Sequence, residues 1–312
     1  MSVLVVGSVA LDTVETPFGK VENALGGAAT YFSTAASLYT KVKLVGVVGL
    51  DFPQRHVDFL RAREVDLAGL QRLPGDTFRW AGRYDYDNLN TAHTLDTQLG
   101  LFASFNPNLP EEYRDAECVF LANIDPTLQL NVLKQVRAPK LKVLDTMNFW
   151  IASKKAELTE VIRQVDVLLM NEAECLQYAE TFSLVKAARM LLSLGPRVVV
   201  AKKGEYGAAL FANSTYFFAP AYPLEDVKDP TGAGDTFAGG FVGFLDREGD
   251  FSLEAMKRAV VHGSTVASFT VEDYSIDRLR PLAMPEILAR AEQFRHFTDP
   301  AGEAVFSPLS AL

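Results

Sequence analysis

The run Asp229-Pro-Thr-Gly-Ala-Gly-Asp235 carries the most distinctive chemistry in this chain. Pro230 and two glycines make a tight turn whose backbone can come close to a ligand, and the apolar period of the following TFAGGFVGFL marks a helix. The amides of Gly232, Ala233 and Gly234 would then point outward at a helix N-terminus, where unpaired donors and the helix dipole favour an anion. Asp235, at the edge of that hole, could take the proton of an attacking hydroxyl while the donors stabilise charge moving onto a transferred phosphoryl group. The plain alternative is an N-cap in a glycine-rich turn, and GxGD by itself does not separate the two. No lysine follows the glycines, so the loop is not of the Walker A type. No acidic ribose ligand follows at dinucleotide spacing, which argues against a dinucleotide-dependent oxidoreductase.

Such a turn needs a rigid platform. Short β-branched runs ending in polar or glycine-rich turns occur at 4–7, 43–49, 118–123, 142–146, 165–171 and 197–202, and each predicts a core strand. Helical patterns lie between them, at 28–39, 52–63, 128–136, 153–164, 173–180 and 183–194. The alternation predicts an α/β fold with a mostly parallel central sheet flanked by helices on both faces. Ligands of such sheets sit beyond the carboxyl ends of the strands. Two segments break the rhythm. Residues 13–24, with Pro17 and Gly19, predict a small hairpin, and 77–105 alternates Phe78, Trp80, Gly82, Tyr84 and Tyr86 on one face with Arg79, Ala81, Arg83 and Asp85 on the other. Together they predict one small antiparallel β-sheet lid of residues 13–24 and 76–105, leaving 1–12, 25–75 and 106–312 as the α/β domain. A flap this small must have its aromatic face covered by substrate, by the main domain or by a second subunit. The weak patterning after Phe297 predicts a loosely docked tail.

The longer string DPTGAGDTFAGGF resembles the C-terminal signature of the ribokinase family, the PfkB-type carbohydrate kinases, at nearly every position that signature fixes. Further motifs follow in the family's order from Leu4 to about Glu272. Asp12 stands five residues after Gly7, where the family has an aspartate that hydrogen-bonds substrate hydroxyls. Gly26-Gly27 resembles the N-terminal signature, whose backbone lies close to the sugar, although Ala28, Ala29, Thr30 and Tyr31 depart from the asparagine usual there. Asn171-Glu172-Ala173-Glu174 resembles the NxxE motif, which implies that Asn171 and Glu174 arrange the water shell of a magnesium ion and the phosphates. Lys203-Gly204-Glu205-Tyr206-Gly207 resembles the turn near the ATP phosphates and ribose. Gly49-Leu50-Asp51 resembles the family's GxD. Asp145 and Asn148 end another strand at the same edge and are candidates for phosphate or metal-water contacts.

Several of these carry a plain reading beside the implied one. Asp12, Gly26-Gly27 and NEAE each read singly as caps or helix starts. Lys202 stands where many relatives have threonine, either as a positive charge near the phosphates or as an exposed strand-end lysine. His262 falls in a helix that the family places beside adenine, and a packed helix histidine is the alternative. Asp229 and Thr231 occupy positions beside which many relatives hold potassium, and otherwise brace the turn.

Composition narrows the partners. A net charge of −9 over 312 residues argues against a nucleic-acid partner, which requires a basic face. No stretch approaches the roughly 18–20 apolar residues of a membrane span. Cys118 and Cys175 sit in apolar stretches, and the N-terminus lacks the basic flank of a signal peptide, so a reducing cytoplasm is expected. His56, His93 and His296 have no neighbours at metal-ligand spacing.

The resemblance therefore implies a kinase that uses ATP and Mg2+ to phosphorylate a hydroxymethyl group of a small sugar-containing substrate, with Asp235 as base and Asp12 orienting the acceptor. The flat faces of Trp80 and Tyr84, within FRWAGRYDYD, favour a nucleoside over a free sugar such as ribose, fructose or a polyol. A catalytically silent nucleotide-binding regulator is the remaining alternative, and intact Asp235, Asn171 and Glu174 argue against it. In many relatives the lid also clasps a partner lid, which implies a homodimer in which Trp80 or Tyr84 serves both interface and acceptor.

Overall fold

A computed structural model describes residues 2–85, 88–213 and 215–297. Tyr86 of the expected aromatic face and the tail expected after Phe297 lie outside the described residues. In chain order the strands are β1 (Ser2–Val6), β2 (Ala10–Thr16), β3 (Gly19–Gly26), β4 (Lys41–Gly49), β5 (Val65–Leu73), β6 (Phe78–Asp85), β7 (Asn88–Gln98), β8 (Cys118–Leu121), β9 (Leu141–Asp145), β10 (Val167–Asn171), β11 (Val198–Lys202), β12 (Ala208–Ala212) and β13 (Thr215–Ala219). Among the described residues, nine of them form one sheet in the order β13-β12-β11-β10-β9-β8-β1-β4-β5. Pairing is parallel from β11 through to β5, and β12 and β13 add an antiparallel edge.

The apolar runs are continuous because both faces are covered. Val3 and Val5 of β1 belong to one buried cluster with Phe32, Leu44, Phe241 and Met256. Leu4 and Val6 point the other way, into a cluster with Tyr113, Leu121, Leu158 and Leu191. Successive side chains of a strand alternate between faces, so each run supplies both cores. Three strands escaped the sequence pattern. The edge strand β5 is only half-buried and pairs irregularly with β4 between Lys43 and Val45, β12 is alanine-rich, and β13 alternates polar and apolar positions at the other edge. The helical pattern at 153–164 forms the helix Lys155–Ile162, and a short helix not expected from the sequence, Asn148–Ser153, precedes it. No helix of the described residues is long and apolar enough to cross a membrane.

The second sheet runs β3-β2-β6-β7. It is not wholly antiparallel as expected, because its central strands β2 and β6 pair in parallel. The reason lies in the connections: β2 follows β1 and β6 follows β5, two parallel strands of the main sheet, so both leave the same carboxyl edge in the same direction. The first lid segment is also longer than the expected 13–24, since β2 starts at Ala10 and β3 ends at Gly26, and Asp12 lies within β2. At one end Asp51 anchors the lid, accepting from the Thr77 N–H (2.9 Å), the Thr77 hydroxyl (2.6 Å) and Arg79 (2.8 Å). Phe78 stacks on Phe102, ring centres 5.3 Å apart. At the other end Thr16 and Tyr274 share a hydroxyl hydrogen bond of 2.9 Å.

The helix Ala28–Ala36 is fixed to the sheet by Phe32, whose ring stacks on Phe120 of β8 at 4.1 Å and 9° with both side chains fully buried. Truncation of such a ring leaves a cavity that neighbouring backbone cannot close. Phe120→Ala is expected to lower the unfolding free energy by about 3–5 kcal/mol. The check is urea denaturation, read as a lower midpoint with an unchanged slope; an unchanged midpoint would contradict the packing described.

Candidate active site

The turn at 229–235 is locked before it meets any ligand. Asp229 is fully buried, and its two carboxylate oxygens accept from the Thr231 N–H (2.9 Å) and the Ser275 N–H (3.0 Å). The Thr231 hydroxyl donates to the Tyr84 hydroxyl at 3.3 Å. Gly232 caps the helix Ala233–Glu248 in the left-handed region, at φ 73°, with the ring of Tyr31 lying where a side chain would go. Both features exclude any other residue there. The Ala233 N–H turns back to the Pro230 carbonyl at 3.2 Å. Of the three amides expected in the anion hole, those of Gly232 and Gly234 have no protein acceptor among the described residues.

Asp235 lies in the first turn of this helix, with its side chain only partly exposed. Burial, reinforced by the charge of Asp145, pushes its carboxyl up to about 7 against the pull of Lys202. Lys202, at the end of β11, is not the exposed strand-end lysine of the plain reading. Its ammonium donates to Asp145 at 2.6 Å, and the two side chains are 16% and 4% exposed. Burial alone would lower the lysine, but Asp145, Glu174 and Asp235 outweigh it and hold its pKa above the ordinary value. Asn171 lies beside Lys202 in the sheet and caps the next helix: its Oδ1 accepts the Glu174 N–H, and Glu174 Oε2 accepts the Asn171 N–H, both at 2.7 Å. This reciprocal cap accounts for the spacing of NxxE and uses one oxygen of Glu174. Burial raises the Glu174 carboxyl to about 7, with Lys202 opposing.

The lid supplies the other wall. In the β2–β6 register Asp12 is opposite Trp80, so the carboxylate and the indole share one face of the lid sheet. Asp12 lies directly against Gly26, where an added methyl group would stand 1.9 Å from its Oδ2. Burial raises the Asp12 carboxyl to about 7, the Gly27 N–H counteracts this, and the charges of Asp229 and Asp235 add to the rise. Trp80 covers Gly82 and donates to Thr94 at 3.3 Å. Tyr84 is buried, and burial raises its phenol.

The turn after β11 lies next to this cluster. Lys203 pairs with Glu172 at 2.5 Å, Gly204 packs against Asn90 of the lid, and the Gly207 carbonyl receives the Lys203 N–H at 2.8 Å. On the helix Leu253–Thr270, His262 stacks its ring on Phe244 at 4.1 Å, its Nδ1 meets the Tyr39 hydroxyl at 3.2 Å, and burial lowers its pKa to about 4. It also lines a cavity with Ala219, Pro220, Arg258 and Leu288. Tyr31, Ser275 and the Asp145–Lys202 pair were not foreseen. A lysine at a strand end beside the KGEYG turn was the available signal for the pair, whereas nothing local in the sequence marks Tyr31 or Ser275.

Among the described residues, no three His, Cys, Asp or Glu side chains are placed to ligate an ion directly. The donor set instead suits phosphates with a water-bound divalent ion: two amides without protein acceptors, a buried ammonium, and the carboxylates of Glu174 and Asp145 at one strand edge.

Residues 2–279 match the family described as pfkB family carbohydrate kinase. A cytidine kinase of Thermococcus kodakarensis is 32% identical over 253 residues, covering 79% of this chain and 89% of that protein. Among solved structures, a Methanocaldococcus jannaschii nucleoside kinase superposes with a TM-score of 0.75 at 21% identity, covering 94% of this chain and 98% of the other. The Burkholderia thailandensis nucleoside kinase in complex with inosine gives a TM-score of 0.75 at 20% identity, covering 93% and 97%.

The raised carboxyl of Asp235 has a testable consequence. Its folded pKa lies above the ordinary 3.8, so the ionised form is the disfavoured one in the folded chain. The penalty is absent at pH values below the ordinary pKa and complete above about 7. Thermal unfolding of the wild type and Asp235→Asn between about pH 5 and 8 should show the variant gaining stability relative to wild type as pH rises. A gap that stays flat or narrows would contradict the burial assigned to this carboxylate.

Proposed function

The chain belongs to the pfkB family of carbohydrate kinases, and we propose that the hydroxyl it phosphorylates is the hydroxymethyl group of a nucleoside. Membership implies ATP as phosphoryl donor and a divalent metal ion. The observation that carries the nucleoside reading is the pairing of Asp12 with Trp80 on one lid face. A carboxylate that binds ribose hydroxyls and a flat ring that stacks a base are what a nucleoside needs and a free sugar needs only in part. The cytidine kinase similar to this chain supports the same class.

In this reading Asp12 and the Gly26-Gly27 backbone hold the sugar, and Trp80 and Tyr84 close over it. Asp235, with a pKa near neutrality, takes the acceptor proton, and the Gly232 and Gly234 amides face the charge that develops on the transferred group. Asn171 and Glu174 would order the waters of magnesium, which when bound neutralises phosphate charge. Lys203, Gly204, Gly207 and Thr231 border the nucleotide. A monovalent cation beside Asp229 and Thr231 would have to share groups already committed to the Ser275 amide and Tyr84. Two buried free thiols suit a cytoplasmic setting.

A homodimer through the lid belongs to the same reading, with one change. Tyr84 is buried under its own chain, so the interface would fall to Trp80 and to exposed lid residues such as Phe18 (44%), Leu95 (55%) and Leu99 (47%). Sedimentation at micromolar concentration should show a dimer that Trp80→Ser weakens while raising KM for the acceptor. A wild-type monomer, with or without substrates, would remove the clasp.

The substrate reading is tested by ADP release with ATP and magnesium across nucleosides and free sugars. Nucleosides should give the higher kcat/KM, and a free sugar that outperforms every nucleoside would overturn the assignment. Asp235→Asn should lower kcat by roughly 10²–10⁴ with ATP binding nearly unchanged.

A further inference from the structure

The ammonium of Lys202 stands at the open amides of the 229–235 turn. A methyl group at Gly234 would lie 3.1 Å from its Nζ, so the charge touches the first turn of the helix that carries Asp235. Its side chain is only 16% exposed, and Asp145 holds the ammonium at 2.6 Å. Three carboxylates, those of Asp145, Glu174 and Asp235, act on this one cation. A buried ion pair of this kind is a poor source of stability, because desolvation of both partners offsets much of their attraction. Its position is better explained by an anionic ligand. Lysine offers a compact charge on a flexible stem, able to turn from a carboxylate to a phosphate oxygen without leaving its seat.

We propose that Lys202 is a further catalytic residue of the phosphoryl transfer, its ammonium contacting the non-bridging oxygens of the group in transit while Asp145 positions it. The inference rests on the kinase reading above. In the step, the acceptor oxygen gives its proton to Asp235 and bonds to the γ-phosphorus as the β–γ bridging P–O bond breaks, its electron pair remaining on ADP. Lys202 neither gains nor loses a proton and offsets the charge on the moving group.

The test compares wild type, Lys202→Met and Lys202→Arg by steady-state kinetics and by calorimetric binding of Mg·ADP and of Mg·ADP with aluminium fluoride, a mimic of the phosphoryl group. Lys202→Met should lower kcat about 10²-fold, as loss of one positioned donor does, with acceptor KM and Mg·ADP affinity within about twofold. Affinity for the fluoride complex should fall more than about tenfold, and Lys202→Arg should restore part of both losses. If Lys202→Met does not fold, the charge-balanced double variant Asp145→Asn/Lys202→Met carries the same measurement. Unchanged affinity for the fluoride complex, or equal losses for Mg·ADP with and without fluoride, would overturn the proposal. Wild-type ADP release tests the kinase reading separately, and fluoride-complex affinity decides on Lys202 whichever acceptor proves right.

Discussion

The Asp229 carboxylate is the joint on which the site is assembled. One oxygen fixes the amide of Thr231 within the glycine turn, and the other fixes the amide of Ser275 in the loop that follows the helix Leu253–Thr270. Ser275, held at a positive φ of 55°, donates its hydroxyl to the Leu25 carbonyl of β3 at 2.5 Å. A single buried carboxylate thus connects the glycine turn with its open amides, a distant loop of the main domain, and the lid strand that leads to Gly26. Backbone in an uncommon conformation persists where surrounding contacts determine it, and Ser275 has such contacts on both sides. Without this joint the turn and the lid would be positioned separately, and a site built between them would lose the sub-ångström fit that in-line transfer needs.

Electrostatics give the same region its second constraint. Asp12, Glu174 and Asp235 are all raised to about 7 by burial at the carboxyl edge of the sheet. Lys202, the Gly27 amide and the Asn171 amide offset part of that cost. Such crowding works against stability at neutral pH and prepares a carboxylate to exchange a proton with an alcohol, which is where perturbed groups concentrate. The divalent ion that accompanies the phosphates would bring positive charge to this region.

Much of this was legible in the sequence, for reasons that differ by element. The core strands were readable because a sheet covered on both faces demands uninterrupted apolar runs, as in LVVG and VDVLLMN. Edge strands such as β5 and β13 carry no such demand and were missed. The turn at 229–235 was visible because its chemistry is local: the glycines, the proline and the aspartate are all within seven residues. Asp12 and Trp80 were each singled out, but their adjacency comes from the parallel pairing of β2 with β6, strands separated by more than sixty residues. The burial of Lys202 by Asp145, two strands away in the sheet, was likewise a tertiary fact. The Phe244 ring stacked on His262 was equally invisible from a helical position alone.

The central claim is that Asp12 and Asp235 direct phosphoryl transfer to a hydroxymethyl oxygen of a nucleoside. The product itself reports this most directly, by phosphorus NMR of a reaction of ATP, magnesium and cytidine without proton decoupling. Transfer to the hydroxymethyl group places the new monoester beside two methylene protons, so its resonance should be split by two couplings and grow in step with ADP. A monoester coupled to a single ring proton, or ADP accompanied only by inorganic phosphate, would contradict the account.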